Sequence, residues 1–87
     1  MSADILIVDD EADIRMLLSG ILEDEGYRVR TAHGDAEARR QVGLARPDLI
    51  FQDIWLQGST ADGIGLLEEY AQNIANTPVI MMSGHGT

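Results

Sequence analysis

Apolar and polar positions alternate along this chain in blocks that change period, and each change marks an element. Residues 4–8 carry the run Ile5-Leu6-Ile7-Val8, apolar and rich in β-branched side chains, which stops on the carboxylates Asp9 and Asp10. A short continuous apolar run of this kind predicts a strand buried on both faces. A helical period follows, with Ile14, Leu17, Leu18, Ile21 and Leu22 at i, i+3, i+4, i+7 and i+8. Asp10, Glu11 and Asp13 suit the start of that helix, and Gly26 suits its end. Glu23-Asp24-Glu25 reads as its solvated last turn.

Tyr27 to Ala32 alternates apolar with basic residues, the pattern of a half-exposed or edge strand. Gly34 breaks it, and Asp35 is placed to cap a second helix running to about Leu44. That helix has a small apolar face, Ala38, Val42 and Ala45, and Gly43 costs it about 1 kcal/mol relative to alanine. Pro47-Asp48-Leu49-Ile50-Phe51-Gln52-Asp53 predicts a third strand over 48–53, again ending on a carboxylate. A loop of small and polar residues leads to Asp62, and a third helix from Gly63 shows Ile64, Leu67, Ala71 and Ile74 at helical spacing. Val79-Ile80-Met81-Met82 predicts a fourth strand, ending on Ser83.

The order β-α-β-α-β-α-β calls for a parallel sheet with right-handed crossovers in an α/β fold. Strands one, three and four would then present Asp9-Asp10, Asp53 and Ser83 at one rim, where open α/β sheets place their chemistry.

Composition narrows what that rim can do. The chain has 87 residues, 45% of them hydrophobic, enough for one domain (residues 1–87) and near the lower end of what folds without staples. It has no cysteine, so disulfides and thiolate metal sites are excluded. Apolar runs of about five residues fall far short of the roughly 20 that span a bilayer, and the N-terminus lacks the pattern of a signal peptide. We therefore expect no membrane association and a cytoplasmic location. Fifteen acids against six basic residues give a net charge of −9, which argues against nucleic-acid binding by this domain. All six basic residues are arginine.

Each acid alone fits an ordinary helix start or loop, and Ser83-Gly84 alone fits a turn. Together at strand ends they describe a pocket. Crowded carboxylates repel unless a cation sits among them, and Mg²⁺, which takes hard oxygen ligands and keeps several waters, is the natural occupant. An aspartate beside it can attack phosphorus to form an acyl phosphate, with a hydroxyl such as that of Ser83 bonding the phosphoryl group.

Ile5 through Glu11, Pro47 through Asp53, Asp62-Gly63 and Met82-Ser83-Gly84 resemble, in order and spacing and over the whole chain, the receiver domains of two-component response regulators. The loop from Asp53 to Ser59 and the ending Ser83-Gly84-His85-Gly86-Thr87 are similar to a nitrogen-regulation subfamily. The resemblance implies a flavodoxin-like doubly wound parallel sheet in the order 2-1-3-4. It implies Asp53 as phosphoacceptor, Ser83 as switch hydroxyl, and Mg²⁺ held by Asp10, Asp53 and the backbone carbonyl of Trp55, with Asp9 close by or acting through water. The phosphoryl donor would be a sensor histidine kinase, and the intact protein would control transcription.

Against that pattern, a complete receiver continues with a further helix, a fifth strand and a fifth helix. The family's lysine at the end of strand five has no counterpart here. A sheet ending on an apolar fourth strand leads us to expect self-association, as a homodimer or larger, unless the chain is part of a longer molecule. A non-signalling, self-associating fragment is therefore the alternative to a phosphoacceptor domain. Gln52 stands where the family has an apolar residue, and its buried amide needs partners or costs roughly 1–3 kcal/mol. The segment between Asp53 and Asp62 is slightly longer than the family loop. An aspartate-nucleophile phosphatase of the haloacid-dehalogenase type needs an acid two residues after the nucleophile, where this chain has Trp55; we expect no enzyme. His33 and His85 read as loop residues without metal-ligand spacing, and Trp55 as a partly exposed loop residue.

Overall fold

The computed structural model describes residues 2–56 and 62–82. Seven elements follow one another: β1 (Asp4–Val8), α1 (Ala12–Asp24), β2 (Arg28–Ala32), α2 (Asp35–Leu44), β3 (Leu49–Asp53), α3 (Gly63–Asn73) and β4 (Val79–Met82). The four strands are parallel, as the element order calls for, and lie in the order β2-β1-β3-β4 that the receiver resemblance implies. The chain steps from β1 outward to β2, then back past β1 to β3 and on to β4. With right-handed crossovers this reversal puts α1 on one face of the sheet and α2 and α3 on the other.

The main core lies on the α2–α3 face. Leu6, Val8, Ile50, Ala38, Leu66, Tyr70 and Ile74 pack there with Leu56, and Val42 and Val79 close its sides. Val8 pairs with Gln52 and Ile50 with Val79, so even-numbered β3 residues point into this core. Ile5 and Ile7 are buried on the opposite face.

Local sequence explains the element ends. Helix α1 closes with Gly26 at φ 91°, its N–H donating to the Glu23 carbonyl at 2.9 Å and that of Tyr27 to Leu22 at 3.1 Å. That pair of bonds is the Schellman arrangement, which favours glycine because the left-handed backbone costs other residues. No basic residue occupies the last turn of α2. Instead Arg30 reaches over from β2, donating to the Gln41 carbonyl at 2.6 Å and the Ala45 carbonyl at 2.8 Å, and pairing with Asp4 at 3.0 Å. The basic residues of β2 are thus not all solvent-facing decoration.

Two local expectations are corrected. Asp35 does not cap α2: Gly34 is the N-cap, without a side-chain bond, and Asp35 lies buried in the first turn, accepting from Arg39 at 2.9 Å. The buried stripe of α3 is Gly63, Leu66, Tyr70 and Ile74, not Ile64, Leu67, Ala71 and Ile74; Ile64 is 52% exposed. In α1 the stripe has the expected period, but Leu17 (60%) and Ile21 (52%) remain exposed while Ile14, Leu18 and Leu22 are half-buried.

Candidate functional site

Strand register builds the site. Because Val8 lies opposite Gln52, the next residues along, Asp9 and Asp53, emerge side by side at the C-terminal rim. The Asp9 N–H still bonds the Ala32 carbonyl at 3.0 Å, so β1 holds its line one residue past its last paired position. The chain then turns. Asp9 Oδ1 accepts from the Glu11 N–H at 2.8 Å, and Arg15 Nη1, one turn into α1, donates to the Asp9 carbonyl at 2.8 Å.

Asp9, Asp10 and Asp53 each offer a carboxylate oxygen, and these oxygens lie within 4.8 Å of one another. Asp9 and Asp53 are buried, Asp53 at 1% exposure, and Asp10 is half-buried. Three carboxylates this close, largely shielded from water, form an unfavourable arrangement unless positive charge joins them. The donor set consists of hard oxygens alone, which fits Mg²⁺ better than zinc or softer metals.

A short loop follows β3. The Trp55 N–H donates to Asp53 Oδ1 at 3.1 Å, which pins one oxygen of the carboxylate and brings the Trp55 backbone beside the cluster. Trp55 is 56% exposed, as a loop residue would be. The Ile54 N–H bonds the Met82 carbonyl at 3.0 Å, tying the loop start to β4. Helix α3 begins against this same backbone. Asp62 caps it, accepting from the Gly65 N–H at 2.8 Å, and the Gly63 N–H donates to the Ile54 carbonyl at 3.0 Å. A Cβ on Gly63 would overlap the Asp53 carbonyl oxygen and sit 2.7 Å from Ile54 Cα. Only glycine fits that approach.

Gln52 finds the partners its burial demands. Its Nε2 donates to the Asp53 carbonyl at 3.0 Å, and its Oε1 accepts from the Tyr70 hydroxyl at 2.8 Å. Burial pushes the Tyr70 hydroxyl well above its ordinary range, so it stays a donor. On the outer side of α3, Arg39 grips both oxygens of Glu69 at 2.9 Å and so joins α2 to α3. The bond from Arg39 holds the Glu69 carboxyl below its ordinary value.

Of the expected site residues, the fold brings Asp9, Asp10 and Asp53 together and sets Trp55 next to them. Ser83 lies outside the described residues, as do Gly84, His85 and the segment 57–61. Tyr70 is what the sequence reading missed. Its signal was a glutamine in a strand buried on both sides, which requires a polar partner on the helix packed over it.

A family model described as the response regulator receiver domain matches residues 5–87. The nitrogen assimilation regulatory protein NtrX of Azorhizobium caulinodans is 55% identical over 99% of this chain, which spans 19% of that protein's length. The crystal structure of the receiver domain of NtrX from Brucella abortus superposes with a TM-score of 0.91 at 52% identity, covering 95% of this chain and 69% of that one. The chemotaxis protein CheY4 of Vibrio cholerae superposes with a TM-score of 0.85 at 31% identity, covering 93% of this chain and 68% of that one.

Proposed function

The chain belongs to the response regulator receiver domain family, and from that membership we propose that it is a phosphoacceptor switch in which Asp53 takes a phosphoryl group from a sensor histidine kinase. The observation that carries this reading is the cluster of Asp9, Asp10 and Asp53 at the C-terminal rim, with Asp53 buried at the end of β3. A carboxylate oxygen of Asp53 attacks phosphorus, the P–N bond of the donor phosphohistidine breaks, and the released imidazole takes a proton from solvent. Asp9, Asp10, Asp53 and the backbone carbonyl of Trp55 would hold Mg²⁺, whose charge offsets that of the phosphoryl oxygens and the attacking carboxylate. The Trp55 N–H keeps the Asp53 carboxylate turned toward the rim. The tether from Arg15 holds the Asp9 turn in place. Ser83 is the hydroxyl we assign to the bound phosphoryl group.

The chain spans about a fifth of the length of the NtrX relative. We place it in a cytoplasmic protein whose phosphorylation controls transcription of nitrogen-related genes. No helix of the described residues is long and apolar enough to cross a membrane. Intact mass after incubation with acetyl phosphate and Mg²⁺ tests the central claim. We expect one phosphoryl adduct on the wild type and none on Asp53→Asn; a folded wild type without an adduct rejects it.

A second reading, self-association, rests on a different observation: Met16, Leu17, Ile21 and Ile80 are large apolar side chains left exposed. A monodisperse monomer in light scattering at micromolar concentration would count against it.

A further inference from the structure

The peptide joining Asp53 to Ile54 is held on every side, and two of its restraints come from α3. Gly63 lies against its carbonyl and bonds Ile54. Seven residues later, about 10 Å further along the helix, Tyr70 reaches the same carbonyl through Gln52. Leu66 and Ile74 seat α3 in the core and Arg39 holds its outer side through Glu69. The Tyr70–Gln52 link adds to that seat a directional bond to the main chain of Asp53.

The direction of the link is fixed by chemistry. The opposite orientation of the Gln52 amide would set its carbonyl oxygen against the carbonyl of Asp53, so Nε2 faces the main chain and Oε1 faces the tyrosine. Both groups are buried, and Gln52 is fully so. An apolar residue at position 52 would pack in this core without any of these bonds. The amide therefore supplies something that packing does not, namely a defined tilt of the Asp53–Ile54 peptide. That tilt sets where the next peptide lies, and with it the Trp55 N–H that clips Asp53 and the Trp55 carbonyl beyond.

We propose that Gln52 and Tyr70 are a positioning pair, coupling the seat of α3 to the peptide that carries the phosphoacceptor, so that the Asp53 carboxylate and the Trp55 backbone face one and the same cation. The inference rests on the phosphoacceptor reading above and extends it to residues that touch neither the metal nor the phosphoryl group. It makes the inner surface of α3 part of the site's support.

Three variants of the whole protein, Tyr70→Phe, Gln52→Met and the double variant Q52M/Y70F, separate positioning from packing. Stability is read by urea unfolding without metal, and Mg²⁺ affinity by titration of the emission of Trp55, the single tryptophan. Tyr70→Phe strands a buried carbonyl oxygen and loses stability. The double variant removes the Gln52–Tyr70 pair and regains part of it, because replacing a buried pair by apolar groups of similar shape is nearly neutral, while the Asp53 carbonyl loses its bond from Gln52 in Gln52→Met and in the double variant alike. Mg²⁺ affinity behaves differently: it stays about tenfold weaker in Tyr70→Phe and in the double variant alike, at the lower end of what outer partners of metal ligands contribute. Phosphorylation by acetyl phosphate slows in step. If Mg²⁺ affinity returns to the wild-type value together with stability in the double variant, the pair only packs and the inference is overturned. It is overturned equally if Tyr70→Phe binds Mg²⁺ as the wild type does. A wild type that neither binds Mg²⁺ nor accepts a phosphoryl group rejects the site reading itself, and this inference with it.

Discussion

At position 63 a single hydrogen in place of a side chain lets α3 start on the backbone of the phosphoacceptor. Its conformation is ordinary; only the space is missing, since a methyl group would meet the Asp53 carbonyl and Ile54 Cα. We expect Gly63→Ala to destabilise the fold by about 1–3 kcal/mol, the usual cost of forcing atoms into a filled site, with the unfolding midpoint in urea as the measure. A neutral effect would mean that α3 can retreat without consequence. The acids of the site were legible in the sequence because each closes an apolar run, and a strand that ends on a carboxylate is a pattern in one dimension. Tyr70 was not legible in that way. Its role depends on which face of α3 meets β3, and Leu66 and Leu67, being adjacent, give hydropathy two competing answers. The contact of Gly63 with Asp53 selects Leu66, and a backbone contact leaves no trace in hydropathy.

Among the elements, α2 and α3 are held together on their outer side by the grip of Arg39 on Glu69. Because the Glu69 carboxyl is held below its ordinary value of 4.5, the unfolded chain binds its proton first as pH falls. The pair's contribution is therefore present above that value and lost as pH drops through the lower, folded one. We expect Glu69→Gln to have a shallower loss of stability than the wild type on acidification from neutral to about pH 3.5, by a small margin because the pair is exposed. Parallel acid limbs in the two proteins would show that the grip adds nothing. The bounds of α2 and α3 were read closely from the sequence, at Asp35 and Gly63, since glycine punctuation and periodicity are local. The end of α2 near Leu44 was read as well, but not how its orphan carbonyls are satisfied, which Arg30 does from a strand. A cap supplied across the fold is invisible to a local rule.

For the molecule as a whole, the strand order that the receiver resemblance implies holds, whereas the β-α alternation by itself called only for a parallel sheet with right-handed crossovers. The α2–α3 face is well packed, while α1 keeps Leu17 and Ile21 in solvent. If those side chains drive association, Leu17→Glu with Ile21→Glu will yield monomers in light scattering without loss of fold, since neither position is buried. Unchanged association would place the contact elsewhere.

The opposite rim of the sheet is laced shut. The Asp4 N–H bonds the Asp48 carboxylate at 2.7 Å, the Asp48 N–H bonds the Asp4 carbonyl at 2.7 Å, Arg30 grips Asp4, and the Thr77 hydroxyl bonds the Pro47 carbonyl at 3.2 Å. The strands are thereby pinned where they begin. A register fixed there is carried to the far rim: Asp9 lies five residues beyond Asp4 and Asp53 five beyond Asp48, so the two acids arrive level with each other.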